Sequence, residues 1–121
     1  MTVLADSSVW IGHWRRPIPA FAARLHQGDV SVHPFVIGEL AVGSIGHRDV
    51  VLATLRILPV NTTAEHAEVL TLVEQHRLWG TGIGWIDAHL IASALLDETE
   101  LWTLDQPLAR AATAAGVRVL S

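Results

Sequence analysis

Residues 2–14, TVLADSSVWIGHW, hold the pattern that decides how the rest of the chain is interpreted. The apolar run Thr2–Ala5 predicts a short buried strand that ends at Asp6. Ser7 and Ser8 follow and suit the start of a helix, and apolar residues then recur at helical spacing. A strand that leads directly into a helix is the opening unit of an α/β fold.

The rest of the chain repeats this alternation of short apolar runs and helical patterns. Further strands are predicted at Val30–Val32, Leu101–Leu104 and Val117–Leu120, and a brief extended segment is predicted at Ile57–Val60. Further helices are predicted at Pro19–Gln27, Pro34–Val42, Arg48–Leu55, Ala64–Leu78, Trp85–Leu96 and Pro107–Ala115. We therefore expect a three-layer α/β/α fold, in which helices cover a mainly parallel sheet of about four to five short strands. Ligands bind such sheets beyond the carboxyl ends of the strands.

The composition excludes several kinds of chemistry. The 121 residues contain no cysteine, and all eight basic residues are arginine. A thiol nucleophile, a thiolate zinc site and a lysine-containing phosphate loop are therefore ruled out. The length and the absence of a linker predict one domain, residues 1–121.

Two features concern where the protein works. The first residues have no basic region before an apolar run, so they do not resemble a signal peptide. No uncharged apolar stretch approaches the roughly 18 residues of a membrane span. We therefore expect a cytoplasmic protein that has no membrane partner.

Four of the twelve acidic residues lie in apolar surroundings, namely Asp6, Glu39, Asp87 and Asp105. Helix capping or ion pairing would explain each of them singly. Taken together they predict a site, because two of them end predicted strands and the other two lie in the first turns of helices that can point at the same edge of the sheet. The remaining acids are expected to be solvated charges: Asp29, Asp49, Glu65, Glu68, Glu74, Asp97, Glu98 and Glu100.

Four converging carboxylates suit a divalent metal ion. Oxygen-only ligands favour Mg²⁺ or Mn²⁺, which keep several waters and bridge to substrate phosphate. Two such ions about 3.5–4 Å apart activate a water and stabilise the leaving oxygen of a phosphodiester. The residues therefore lead to the hypothesis of metal-assisted phosphodiester hydrolysis without a covalent protein intermediate.

Four motifs in order give the chain a family resemblance. They are DSSVWI (6–11), HPFVIGELA (33–41), GTGIGWIDAHLIASALL (80–96) and LWTLDQPLAR (101–110). In this order and in a chain this short, they resemble a PIN domain and, more narrowly, the VapC-type ribonuclease toxins of bacterial toxin–antitoxin pairs. The resemblance spans essentially the whole chain, and none of the four acids is replaced.

The resemblance implies a metal site and a substrate. The four acids of the family that hold Mg²⁺ map onto Asp6, Glu39, Asp87 and Asp105, and the small hydroxyl residues that order the site map onto Ser8 and Thr103. The implied activity is that of an endoribonuclease that cuts tRNA or ribosomal RNA and so stops translation.

The resemblance also implies several partners. A cognate VapB-type antitoxin wraps the toxin and holds it inactive. Members of the family form homodimers and larger toxin–antitoxin assemblies, and these contact DNA only through the antitoxin.

Two pairs of residues outside the four acids are candidate contacts. Trp10 and Trp14 are four apart on one helix face, so they belong to the core unless exposure makes them part of an antitoxin groove. Arg15 and Arg16 follow at the end of that helix, where they are either solvated charges or RNA phosphate contacts.

Two other functions remain open at this point. One is a nuclease of the same fold that acts in RNA or DNA processing without a toxin role, and the other is a non-catalytic module whose acids hold a partner's arginines. The GTGIGW segment is an incomplete dinucleotide motif and does not follow a strand, so it is interpreted as a loop that leads to the Asp87 helix.

The net charge of −4 is unusual for a protein that acts on RNA. Outside the four clustered acids, the eight acids and eight arginines balance, so the four site acids account for the charge. We therefore expect the metal-free protein to bind RNA poorly.

Overall fold

The computed structural model describes residues 2–121. Its strands are β1 (Val3–Ala5), β2 (Val30–Ser31), β3 (Glu100–Trp102) and β4 (Val119–Leu120). Its helices are α1 (Ser7–Arg15), α2 (Pro19–His26), α3 (Pro34–Val42), α4 (Arg48–Arg56), α5 (His66–His76), α6 (Trp85–Asp97) and α7 (Gln106–Ala114).

The four strands form one parallel sheet in the order β2-β1-β3-β4. The chain therefore moves to one side of β1 to form β2 and returns past β1 to form β3 and β4. Right-handed crossovers place the helices of these two excursions on opposite faces of the sheet. The predicted parallel α/β fold is confirmed, and the gap between β1 and β3 is its topological switch point.

The core forms on both sides of the central strands. All three residues of β1 and the apolar residues of β3 are buried, as expected for strands covered on two faces. Phe21 lies edge-on between two tryptophans, with ring centroids 4.9 Å from Trp10 and 5.4 Å from Trp102. This aromatic group ties α1 and α2 to β3.

Every predicted strand and the predicted extended segment are shorter in the structure, and two of them differ most. The Leu101–Leu104 prediction becomes Glu100–Trp102, after which the chain turns toward the site. The Ile57–Val60 prediction is reduced to one isolated parallel bridge between Val32 and Val60. Period-two patterns this short do not fix where backbone pairing stops.

The predicted start of the long helix at Ala64 is also displaced. α5 begins at His66, because the Glu68 carboxylate accepts a hydrogen bond from the backbone N–H of Glu65 at 2.9 Å. This contact satisfies a donor at the helix start, so the helix does not extend to Thr63.

Two acids assigned to solvent are held by the protein instead. Glu100 is buried in β3 and pairs with Arg24 at 3.4 Å and Arg118 at 3.2 Å. Asp97 accepts hydrogen bonds from the Asn61 side chain at 3.0 Å and the Thr62 backbone at 2.7 Å. These predictions were wrong because the partners are distant in sequence.

No helix within residues 2–121 has the length and apolar character that spanning a membrane requires.

Candidate active site

The two strands at the switch point end in the residues that open the site. Asp6 follows β1, and Thr103, Leu104 and Asp105 follow β3. The strands pair in parallel with Ala5 opposite Trp102, so their carboxyl ends lie side by side. Because of this register, Asp6 lies beside the Thr103–Asp105 segment at the same edge of the sheet, as predicted.

Asp6 is buried, and every hydrogen bond to its carboxylate comes from the two segments that flank it. Its Oδ1 accepts from the Ser8 hydroxyl at 2.5 Å and from the Val9 backbone N–H at 3.1 Å. Its Oδ2 accepts from the Thr103 hydroxyl at 2.5 Å. Asp6 therefore caps α1 and is fixed in orientation at the same time.

Ser8 and Thr103 also connect the β1 and β3 ends to each other. The Ser8 Oγ accepts from the Leu104 backbone N–H at 2.9 Å, and the Thr103 Oγ1 accepts from the Asp105 backbone N–H at 3.0 Å. Each hydroxyl thus donates to Asp6 and accepts from the chain that leads to Asp105. This is how two small side chains order the site.

Asp105 precedes α7 at the helix cap position but does not act as a cap. Its side chain makes no capping hydrogen bond in the part of the chain that is described, although its backbone position is that of an N-cap. The half-buried carboxylate is therefore available to a ligand. The simple capping explanation of this residue does not hold.

Asp87 reaches the site from the first turn of α6, as predicted. Its Oδ2 accepts from the Gly84 backbone N–H at 3.1 Å. The loop before α6 approaches α7 at Gly82, which has φ +91° and where a Cβ would lie in van der Waals contact with Pro107, 3.4 Å from its Cβ. This approach brings the start of α6 beside the segment that carries Asp105.

Glu39 is the sixth residue of α3 and lies in the second turn, so the prediction of a first-turn position was wrong. α3 begins at Pro34 as predicted, and five of its residues precede Glu39, so with 3.6 residues per turn Glu39 falls in the second turn. The side chain is exposed at the rim of the site.

The electrostatics show that these acids share one environment. Burial raises the pKa of Asp6, and the charge of Asp87 raises it further against the lowering effect of its hydrogen bonds. Loss of hydration raises the pKa of Asp87, and the charge of Asp105 adds to the effect. The pKa of Glu39 is raised by partial burial and then by the charges of Asp87 and Asp6.

The site acids lie outside the ion pairs that the described residues form. The ion pairs within residues 2–121 join Arg24 and Arg118 to Asp29 and Glu100, and none includes a site acid. Burial and neighbouring acids therefore disfavour the charged forms of Asp6, Glu39 and Asp87, and the ion pairs of the described residues include none of them.

The donor set fits a hard divalent ion that keeps part of its water. The available atoms are carboxylate oxygens, which suit Mg²⁺ or Mn²⁺. Among the described residues, no three His, Asp or Glu side chains are grouped closely enough to hold an ion alone. Ligation by few direct oxygens and several waters is the mode that Mg²⁺ favours.

A cavity of about 490 Å³ adjoins the site between α1 and the α3–α4 connection. It is lined by Glu39, Trp14 and Arg15 together with mostly apolar residues. Trp14 is 38% exposed, whereas Trp10 is 3% exposed and belongs to the core. Of the two tryptophans suggested for a groove, only Trp14 is accessible to a partner.

The two arginines at the end of α1 are both exposed. Arg15 lines the same cavity as Glu39, so a phosphate or peptide near the acids can reach it. Arg16 caps the carboxyl end of α1, where its backbone N–H donates to Gly12, and it does not line that cavity.

Two buried histidines, His33 and His89, lie close to the helices that carry Glu39 and Asp87. His33 is fully buried, and its Nδ1 accepts from the Phe35 backbone N–H at 2.9 Å, so a neutral imidazole caps α3. Burial lowers its pKa to about 4. The buried His89 lies 6.3 Å from it between ring centroids, and burial lowers its pKa as well.

Similar proteins of known sequence give the chain its relatives. Two curated proteins from Mycobacterium tuberculosis strains CDC 1551/Oshkosh and ATCC 25618/H37Rv, both named ribonuclease VapC32, are 45% identical over 116 residues. That alignment covers 95% of this chain and 94% of each relative. No protein-family model matches the chain.

Solved structures share the fold at lower identity. PAE2754 from Pyrobaculum aerophilum has a TM-score of 0.64 at 14% identity, covering 98% of this chain and 83% of that one. FitAcB from Neisseria gonorrhoeae has 0.63 at 24%, covering 99% and 97%. FitAB bound to an IR36 DNA fragment has 0.65 at 20%, covering 98% and 94%.

Proposed function

Because the chain belongs to the VapC ribonucleases, toxin endoribonucleases of toxin–antitoxin pairs, we propose that Asp6, Glu39, Asp87 and Asp105 form its catalytic metal site. The observation that carries the proposal is that burial, and then the charge of neighbouring site acids, raises the pKa values of Asp6, Glu39 and Asp87, while the ion pairs of the described residues include none of the four acids. We further propose that Mg²⁺ is the ion and that tRNA or ribosomal RNA is the substrate.

In this mechanism Asp6, Asp87 and Asp105 would hold the ion, directly or through water. Bound Mg²⁺ supplies a more acidic water and stabilises charge on the leaving oxygen. Glu39 is exposed at the rim, and its raised pKa suits a residue that orients the attacking water and accepts its proton. Ser8 and Thr103 keep Asp6 in position throughout.

Cleavage of RNA should require a divalent ion, which removal and replacement can test. EDTA is expected to abolish cleavage of total cellular RNA, and excess Mg²⁺ is expected to restore it. Cleavage that continues unchanged in EDTA would contradict the metal site.

The same ion should stabilise the fold in a pH-dependent way. The raised pKa values of Asp6, Glu39 and Asp87 mean that their stability contribution is present at acidic pH and is lost as pH rises through the folded-state values. Mg²⁺ should therefore raise the melting temperature more at neutral than at acidic pH. At one hundred times its Kd, the gain is about 2.7 kcal/mol.

We propose that the cavity beside Glu39 is the binding site of an antitoxin segment. Its apolar lining and the exposed Trp14 suit a hydrophobic anchor, and Arg15 and Glu39 offer one charge of each sign at its edge. We propose a homodimeric toxin in the cytoplasm, in a hetero-oligomer with its antitoxin, which alone contacts DNA. The FitAB–DNA structure offers a parallel for such a complex.

Replacing Trp14 with alanine should weaken binding of the antitoxin encoded beside this protein about tenfold or more, since truncating a central aromatic anchor costs over 1–2 kcal/mol. Calorimetry of the purified pair measures the change. Val50→Ala is the matched control, because Val50 is exposed on α4 and outside the cavity. If Trp14→Ala and Val50→Ala bind the antitoxin with equal affinity, Trp14 is not part of the interface.

A further inference from the structure

Gly12 lies inside α1, where the backbone conformation does not require a glycine. Its φ is outside the left-handed region, and glycine is less favourable than alanine in a helix interior. A Cβ at this position would lie 2.9 Å from the Cδ1 of Leu104. Carbon atoms in van der Waals contact are about 3.5–4.0 Å apart, so a larger residue here would displace Leu104. The absence of a side chain at Gly12 therefore makes room for Leu104.

Leu104 contacts α1 at two points that are one helical turn apart. Its backbone N–H donates to the Ser8 Oγ at 2.9 Å, and its side chain lies against Gly12. Residues four apart share one face of a helix, so both contacts are made on the same face of α1. Leu104 is exposed, so the core does not enclose its side chain. These two contacts fix the residue relative to α1.

The contact between Leu104 and α1 connects two of the proposed metal ligands. Asp6 is the N-cap of α1, and Asp105 follows Leu104 directly. The Asp105 side chain makes no capping hydrogen bond within the described chain, so its position depends on the backbone that carries it. That backbone is held by the Asp105 N–H, which donates to Thr103, and by Leu104 on α1. The separation of the two carboxylates therefore depends on how closely Leu104 approaches α1.

We propose that Gly12 and Leu104 are positioning residues of the metal site, because their close contact sets the separation of Asp6 and Asp105. Neither residue touches the ion or the RNA, and both act through the two ligands. Replacing a residue that orients metal ligands typically costs roughly 10–100-fold in metal affinity or activity. The proposal rests on the assignment of Asp6 and Asp105 to the metal site.

Gly12→Ala adds one methyl group and tests the contact directly. In the metal-free protein, hydrogen exchange followed by NMR should be about two- to tenfold faster at the Leu104 and Asp105 N–H groups, because the methyl weakens their hydrogen bonds to Ser8 and Thr103. Calorimetry should show Mg²⁺ affinity about 10–100-fold weaker than in the parent, and RNA cleavage should slow accordingly. The urea unfolding free energy should not fall, since alanine favours the helix.

Two further variants separate this contact from a general effect of adding a methyl group. Gly38→Ala is the matched control, because Gly38 also lies inside a helix, and in the described chain nothing beyond that helix comes within 4 Å of a Cβ placed there. It should match the parent in hydrogen exchange and in Mg²⁺ affinity. Gly12→Ala/Leu104→Val removes the Cδ atoms that the new methyl would meet. The double variant should recover most of the exchange protection and Mg²⁺ affinity that Gly12→Ala loses.

Four results would overturn the proposal. Two concern Gly12→Ala alone: exchange of the Leu104 and Asp105 N–H groups at the parent's rate, or the parent's Mg²⁺ affinity. The third is a lower unfolding free energy of Gly12→Ala, which would indicate a general packing role, and the fourth is no recovery in the double variant. Failure of the metal-site assignment has a different signature, because the parent itself would then bind no Mg²⁺ while the exchange results in metal-free protein would still hold.

Discussion

Replacing Asp6 with asparagine should slow RNA cleavage about a thousandfold and leave the protein folded. The loss follows from removing a charged metal ligand, and it corresponds to about 4 kcal/mol of barrier. The fold should persist because asparagine keeps an oxygen for the hydrogen bonds from Val9 and Ser8. Its NH₂ group can donate to the Thr103 hydroxyl, which donates to Asp6 in the parent protein.

Initial rates on total cellular RNA, with circular dichroism as the check of folding, measure this effect. Asp49→Asn is the control, because it also removes one negative charge but lies exposed in the first turn of α4. Its rate should stay near that of the parent. A folded Asp6→Asn protein with the parent's rate would remove Asp6 from catalysis.

Lowering the pH should destabilise the protein through His33. Burial holds the folded-state pKa of His33 at about 4, below the unfolded value of 6.5. The unfolded chain therefore binds more protons between these values, and stability from this group is present at neutral pH and lost as the pH falls. The expected loss is about 2 kcal/mol between roughly pH 7.5 and pH 5.

The structural cause is the cap that His33 provides. Its Nδ1 must be unprotonated to accept from the Phe35 backbone N–H, and its buried Nε2 has no hydrogen-bond partner among the described residues. A second proton on the ring would remove the cap and bury a charge. His89, whose pKa is also lowered, lies close by and disfavours that charge further.

His33→Asn separates this effect from the titration of the site acids, which has the opposite sign. Asparagine is a good cap and does not titrate, so the variant should show a flatter pH dependence of its urea unfolding free energy. His26→Asn, on the exposed end of α2, controls for the loss of a histidine. A pH dependence as steep in His33→Asn as in the parent would show that His33 is not the cause.

Much of the fold was predictable because short-range signals agree with it. Asp6 and the hydroxyl at Ser8 mark the end of a buried strand and the start of a helix, and both functions are present in the structure. Pro34 and Gly84 mark the starts of the helices that carry Glu39 and Asp87. The burial of β1 and β3 follows from their apolar sequence.

Long-range pairing could not be predicted from these local signals. The segment DETELW predicts a solvated Glu100, yet in the folded protein Glu100 forms ion pairs with Arg24 and Arg118. His33 precedes a proline and has no local feature that indicates complete burial.

The central claim is that the four acids form a metal site, and the most direct test is calorimetric titration of Mg²⁺ into the purified protein. The account predicts saturable binding to the parent and to Asp49→Asn at neutral pH, and a loss of at least tenfold in affinity for Asp6→Asn and Asp87→Asn. Equal Mg²⁺ affinity in all four proteins would contradict this account. So would the absence of Mg²⁺ binding to the parent protein when the RNA product of its cleavage is present.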